Sequence, residues 1–258
     1  MKDHLDRAIN LTHPPKRIIS LVPSQSELVV DLGLEKELVG ITKFCIHPKH
    51  LKSEKVVVGG TKQVDYDKIR DLQPDIILCN KEENTQEMIV ELEKIALVHV
   101  SDIYTIADTL KLISDYGDLF NCRIKADKII ENIQNKKDGF LNSFKPKPYK
   151  SVAYFIWKKP WMVAGSHNFI HHLLELNGLK NYYGNVERYP EVILDEKCPE
   201  GADFVFLSTE PYPFKEKHIK ELKEYFPHAQ IMVVDGEMFS WYGSRLIKAF
   251  DYFKTLDL

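Results

Sequence analysis

The sequence predicts an α/β protein of two lobes joined by one long helix, and three observations predict it. Short β-branched runs alternate with helical stretches from residue 17 to 100, the pattern of a parallel sheet with crossover helices. From Ile106 to about Phe144 there is neither proline nor a strand-like run, and apolar residues recur at 106, 110, 113, 116, 120, 124, 129, 130 and 133. That is helical spacing sustained past the usual helix length. A second alternating series then occupies the rest of the chain.

In order, "RIISLV" (17–22) reads as a strand and 25–32 as a helix, where Ser24 and Glu27 have capping-box spacing and Gly33 suits the helix exit. A helix over 65–73, the buried strand "DIILC" (75–79), a helix over 84–95 and the strand "ALVHV" (96–100) follow. The next 36 or so residues would form a rod on the order of 50 Å long. Gly117 and Gly139 could interrupt it, and the alternative is two helices with a break at Gly117. "KPKP" (145–148) ends the rod. The second lobe reads as strand 150–156, helix 167–177 closed by Asn177-Gly178, strand 203–207, helix 215–225, strand 230–234 and helix 243–255. The expected domains are therefore 1–104, 105–144 and 145–258. Ligands of open parallel sheets bind beyond the C-terminal ends of the strands, so a cleft is expected between the lobes. "QPDIILCNKEEN" and "GADFVFLSTEPYPF" echo each other weakly across the two series.

The totals set limits. At 258 residues with 44% hydrophobic and 28% charged side chains, the chain can bury a substantial core. A net charge of −3 without a basic run argues against nucleic acid. No apolar stretch is long enough to span a bilayer, and a monomer is expected. The start, "MKDHLDRAINLTHPPKRIIS", lacks the apolar core of a secretory signal, which places the chain inside the cell as it stands, or outside if an export signal has been removed. Cys45, Cys79, Cys122 and Cys198 lie far apart, as reduced thiols do.

Rings and cations concentrate where strands end. Phe44, Trp157, Trp161, Tyr212, Phe214, Phe239, Trp241 and Tyr242 fall on such loops, among Lys62, Lys81, Lys158, Lys159 and Arg245. A flat, bulky, partly anionic ligand calls for that mixture, since rings stack and cations meet peripheral carboxylates. Trp157 and Trp161 cannot share a helix face, because Pro160 interrupts them. Arg245 opens the last helix, where a cation opposes the helix dipole, so a ligand anion or a neighbouring carboxylate should face it. "VPSQSE" (22–27) offers either an anion-binding helix start or a cap satisfied by Glu27. In "FIHHLLE" (169–175), His171 and His172 stand four and three residues from Glu175, but no third metal ligand is near, and "HPKH" (47–50) has the same weakness. No hydrolase, P-loop or dinucleotide-binding signature occurs.

"PKRIISLVPSQSELVVDLGL", "LVGITKFCIHP", "VGGTKQVDYDKIRDLQPDIIL", "WMVAGSHNFIHHLLELNGLKN", "RYPEV" and "DGEMFSWYGSRL" together resemble the substrate-binding proteins of ABC importers for metal chelates, most closely the cobalamin-binding subgroup, whose relatives bind haem and ferric siderophores. The resemblance runs over nearly the whole chain from Pro15. It implies two Rossmann-like lobes, one backbone helix, a shallow cleft and a non-catalytic role with a corrinoid as first candidate ligand. Haem, a ferric chelate or a chelatase-like enzyme are the alternatives. It further implies that Pro23, Ser24, Phe44, Lys62, Asn80, Lys81, Trp157, Trp161, Tyr212 and Phe239 through Trp241, Tyr242 and Arg245 face the ligand. Glu82, Glu83 or Glu87 in the first lobe and Glu210 or Glu216 in the second would dock an ABC permease. Cobalamin binders can place a tryptophan where this chain has Asn80-Lys81, and exported members begin with a signal or lipoprotein cysteine that is not seen here.

Overall fold

The computed structural model describes residues 1–143, 150–194, 201–256 and 258. The chain forms two compact units. The first comprises Met1–Lys137 with Tyr242–Ile247, and the second Asp138–Trp241 with Lys248–Leu258.

The first unit is built on β1 (Ile18–Ser20), β2 (Leu38–Ile41), β3 (Val56–Val57), β4 (Ile76–Asn80) and β5 (Leu97–Ser101), in the order β3-β2-β1-β4-β5. All four pairings are parallel. A parallel sheet is covered on both faces, so central strands read as unbroken apolar runs; β1 and β4 are buried throughout. Helices α1 (Pro23–Asp31), α2 (Leu51–Glu54), α3 (Tyr66–Asp71), α4 (Gln86–Leu92) and α5 (Ile106–Leu119) make the connections. Asp65 and Thr85 cap α3 and α4 by accepting from the backbone N–H of Lys68 and Met88, and Thr105 with Asp108 forms a full capping box on α5. One core layer joins Ile19, Leu21, Ile77, Cys79, Val98 and Val100 to Ile69, Met88 and Leu92 of the helices.

Two expectations are corrected here. Helix α1 starts earlier than the capping box requires: Pro23 takes its first position, where a missing N–H costs nothing, Val22 is the cap residue, and no side chain caps the end. The 36-residue rod is two helices, α5 and α6 (Arg123–Ser143). The chain turns at Phe120–Cys122, where Asn121 takes a left-handed φ of 51° and the Cys122 N–H donates to the Gly117 carbonyl at 2.8 Å. Gly117 is not the break. It sits inside α5, where a β-carbon would lie 2.7 Å from the Ala126 β-carbon of α6. The glycine thus permits close helix packing. Gly139 lies within α6 and interrupts nothing. The chain leaves the first unit within α6, between Lys137 and Asp138. Phe144, the "KPKP" stretch and Cys198 lie outside the described residues.

The second unit holds β6 (Lys150–Trp157), β7 (Trp161–Val163), β8 (Leu179–Asn181), β9 (Glu191–Val192), β10 (Phe204–Ser208) and β11 (Gln230–Val234), in the order β11-β10-β6-β7-β9, with β8 also on β6. Strands β6, β10 and β11 run parallel, as their apolar runs suggest; β7 folds back antiparallel on β6, and β9 pairs antiparallel with β7. Helices α7 (Phe169–Leu176), α8 (Lys217–Lys223), α9 (Gly236–Ser240) and α10 (Leu246–Phe253) complete the series. The helix expected over 243–255 begins later, and α9 precedes it. Period-two alternation along β6 sends Ala153 and Phe155 into a core layer with Val205, Leu207, Phe214 and Phe226. Tyr154 meets Phe206 and Phe239 in ring contacts at 6.3 and 5.3 Å.

Candidate functional site

Within the first unit, the loops beyond β2 and β3 enclose a hollow of about 500 Å³ lined by Lys43, Phe44, Gly60, Thr61, Lys62, Gln63 and their neighbours. It lies at the strands' C-terminal ends, where parallel sheets bind ligands. Phe44 is 49% exposed, and the Lys43 ammonium stands 5.1 Å from its ring centroid. Lys62 is exposed and donates from Nζ to the Glu82 carbonyl oxygen at 2.5 Å. Lys81 is also exposed, but Asp102 accepts from its Nζ at 2.6 Å and raises its pKa. A second hollow of about 400 Å³ lies beside Arg7, Glu93 and Leu97. Arg7 there is committed to Asp3 and Glu93 at 2.6 Å each.

The remaining first-unit candidates build the scaffold. Pro23 and Ser24 are buried within α1. Asn80 is 2% exposed; its Oδ1 accepts from the N–H groups of Glu82 and Glu83, and its Nδ2 donates to Ser101. Its amide holds the turn after β4 and has no face for a ligand. Tyr242 is buried, its hydroxyl 2.9 Å from Gln25 Nε2 and 3.4 Å from Ser101 Oγ, and burial raises its pKa. Gln25 also accepts from the Tyr116 hydroxyl at 2.7 Å. Arg245 answers the question left by its position before α10: Glu27 accepts from Nε at 2.8 Å and Nη2 at 2.9 Å. A neighbouring carboxylate meets the cation, so reading Asn80, Tyr242 and Arg245 as ligand contacts is corrected to structural roles.

In the second unit, Trp157 closes β6 and Trp161 opens β7, two ends of one hairpin. Trp157 is 38% exposed and meets Tyr212 edge-on at 5.6 Å. Tyr212 is half-buried and lies 4.7 Å from the Phe214 ring. Trp161 turns inward: it stacks on Phe214 at 6.1 Å with 5° between planes, meets Phe155 edge-on, and carries the Lys158 ammonium 5.3 Å from its centroid. Lys158 is itself paired with Glu221. Phe239 is fully buried against Tyr154, Phe206, Tyr252 and Phe253. Trp241 is 7% exposed and hydrogen-bonds Glu210. Phe239 is therefore a packing residue, Trp161 and Tyr212 are half-buried at the edge of the core, and Trp157 presents accessible aromatic surface.

The carboxylates separate in the same way. Glu210 turns inward, its Oε1 accepting from the Ser240 hydroxyl at 2.6 Å. Burial, assisted by Glu237 and Asp235, pushes its pKa up to about 7 against the hydrogen bonds of Ser240 and Trp241. Gly236 makes this possible, since a β-carbon there would lie 2.7 Å from Glu210 Cγ. Glu210 is half-buried, with one carboxylate oxygen engaged by Ser240. Glu82 and Glu83 are half-buried, while Glu87 and Glu216 are exposed. Of the histidines, His171 Nε2 lies 3.4 Å from Glu175 and Nδ1 3.2 Å from Asn181. His50 pairs with Glu35 at 2.8 Å and stands near Glu54, a surface grouping hidden in the sequence because Glu35 and His50 are 15 positions apart. Among the described residues no helix is long and apolar enough to cross a membrane.

A sequence profile described as periplasmic binding protein matches residues 18–198. An uncharacterized ABC transporter substrate-binding lipoprotein of Bacillus subtilis (strain 168), YvrC, is 28% identical over 137 residues, which is 52% of this chain and 43% of that one. The match thus spans less than half of that relative. A vitamin B12-binding protein of Vibrio parahaemolyticus is 22% identical over 203 residues, 76% of this chain and 71% of its own. The crystal structure of a periplasmic haem-binding protein from Pseudomonas aeruginosa superposes with a TM-score of 0.78 at 20% identity, covering 94% of each chain, so the two share a fold.

Proposed function

The chain belongs to the periplasmic binding protein family, and from that premise we propose that it captures a metal chelate, a corrinoid first among the candidates, for delivery to an ABC permease. The observation that carries this reading is the placement of accessible rings and cations at strand C-terminal ends: Phe44 with Lys43 and Lys62 in the first unit, Trp157 with Tyr212 in the second. Each of these patches suits one face of a broad, flat ligand with polar edges. The vitamin B12-binding relative supports the corrinoid, and the haem-binding fold neighbour keeps haem, or a ferric chelate, as the alternative. The role is binding, with the metal remaining in its own macrocycle or chelator. On this reading the protein works as a monomer outside the cytoplasmic membrane; the location is supported by relatives described as a lipoprotein and as periplasmic. Glu87 and Glu216, exposed on α4 and just before α8, are the carboxylates proposed to meet the permease.

Titration with cobalamin, cobinamide, haem and ferric siderophores, followed by ligand absorbance and tryptophan fluorescence, tests the reading. Saturable binding of one chelate with quenching is expected, and no spectral change across the panel overturns it. Incubation with a metal-free tetrapyrrole and Co²⁺ or Fe²⁺ tests the enzymatic rival. Accelerated metal insertion would favour a chelatase.

A further inference from the structure

The cations at the strand ends are not equivalent. Lys81 is answered by Asp102 and Lys158 by Glu221. Lys43 and Lys62 have no carboxylate within ion-pairing distance among the described residues: Lys43 leans over Phe44, and Lys62 contacts only the Glu82 carbonyl oxygen. Both line one hollow of about 500 Å³. The acid on that rim, Asp65, is engaged elsewhere, accepting from the backbone N–H of Lys68 and pairing with its ammonium at 3.5 Å. A β-carbon on Gly60 would lie 3.2 Å from the Phe44 ring and 3.5 Å from the Lys43 side chain, so ring and cation close over the glycine backbone. The result is a concave patch with two uncompensated positive charges beside an exposed ring.

Two like charges in one hollow repel each other unless an anion joins them. Resting on the proposed chelate-binding role, we infer that this hollow receives an oxyanion on the ligand's periphery, a carboxylate or a phosphate. Lys43 and Lys62 are its counter-charges, and Phe44 packs against the adjoining apolar edge. The ligand is thus an anionic chelate at its rim rather than one bordered by neutral amides alone.

Matched ligands separate the two sources of the anion. Haem against its dimethyl ester isolates the carboxylate; cobinamide phosphate against cobinamide isolates the phosphate. Affinities are measured by fluorescence quenching on the wild-type chain and on K43Q/K62Q, which alters only surface side chains. The anionic member of one pair is expected to bind about ten-fold more tightly, with the preference weakened by salt and lost in K43Q/K62Q. Equal affinities within both pairs, or a preference that K43Q/K62Q retains, overturns the inference while leaving chelate binding intact. No binding of any of the four ligands overturns the functional reading and this inference together.

Discussion

Arg245 and Glu27 form a bidentate ion pair across 218 residues of sequence, with side chains 4% and 5% exposed. Two parallel N–H···O bonds fix the geometry of the fork, and neither charge can turn to solvent. The pair belongs to the first unit, where it fastens the Tyr242–Ile247 segment to α1, and the Tyr242 hydroxyl reinforces it through Gln25.

Removing one partner should therefore be costly. E27Q or R245A is expected to lose about 3–5 kcal/mol, because the other charge stays buried without its counter-ion. A double substitution to apolar residues of similar volume, E27L/R245M, should cost much less than the two single losses combined. Urea denaturation of the single and double variants supplies the cycle. A double variant as unstable as the sum of the singles would contradict the pairing.

The two tryptophans of the β6–β7 hairpin should respond in opposite ways. W157A removes an accessible ring and is expected to weaken chelate binding by about 1–3 kcal/mol with an unchanged melting temperature. W161A removes a half-buried ring packed on Phe155 and Phe214 at the edge of the second unit's core and should cost about 2–3 kcal/mol of stability. Paired thermal melts and fluorescence titrations separate the roles. A W161A chain that melts like wild type would return Trp161 to the list of exposed contacts.

Half-buried Glu210 and fully buried His99 give the stability opposite pH slopes. Glu210, ordinarily near 4.5, is held up to about 7, so between these values the folded chain keeps a proton that the unfolded chain has lost. Its contribution is present at low pH and disappears as pH rises through that window, on the order of 2–3 kcal/mol in all. His99 is fully buried, and among the described residues neither ring nitrogen has a hydrogen-bond partner. Burial holds it down to about 4 from 6.5, with Asp3, His4, Asp115 and Arg7 as the surrounding charges. Below pH 6.5 the unfolded chain takes up a proton that the folded chain refuses, so stability is lost as pH falls. E210Q should expose this acid loss as a steeper fall in melting temperature between pH 6.5 and 4.5. H99L should leave the Glu210 slope unopposed, so that the melting temperature falls steadily as pH rises from 4.5 to 7. Identical pH profiles for E210Q and wild type would refute the assignment.

How much of this was legible depends on the range of the interaction. The runs at 17–22, 75–79 and 203–207 announce β1, β4 and β10 because strands covered on both faces must be apolar throughout. Strands β3 and β9 have two residues each, β7 has three, and the four residues of β2 include Gly40, so none carries enough pattern to register. Phe44 and Trp157 are exposed, as their positions at strand ends suggest. Phe239 occupies a similar position, yet tertiary neighbours enclose it, and nothing local distinguishes a ring that packs from one that stays exposed. The partner of Arg245 lies too far away in sequence to be chosen by pattern, although the need for some anion was readable from the helix dipole. The corner between α5 and α6 escaped because Asn121, not glycine or proline, supplies the left-handed residue.

That corner yields the last prediction. Gly117 and Gly139 look alike in sequence, each inside a helical stretch, but their surroundings differ. A β-carbon at Gly117 would meet the Ala126 β-carbon at 2.7 Å and force α5 and α6 apart, whereas one at Gly139 meets nothing within 4 Å. G117A should therefore destabilise by about 1–3 kcal/mol through overpacking. G139A should stabilise by about 0.5–1 kcal/mol, since alanine loses less backbone freedom on entering a helix. N121G should fall within about 1 kcal/mol of wild type, because glycine accepts the 51° φ without strain but adds entropy to the unfolded chain. Urea midpoints for the three variants decide the matter: if G117A and G139A shift in the same direction, Gly117 does not hold the two helices in contact, and the turn at Asn121 alone sets their packing.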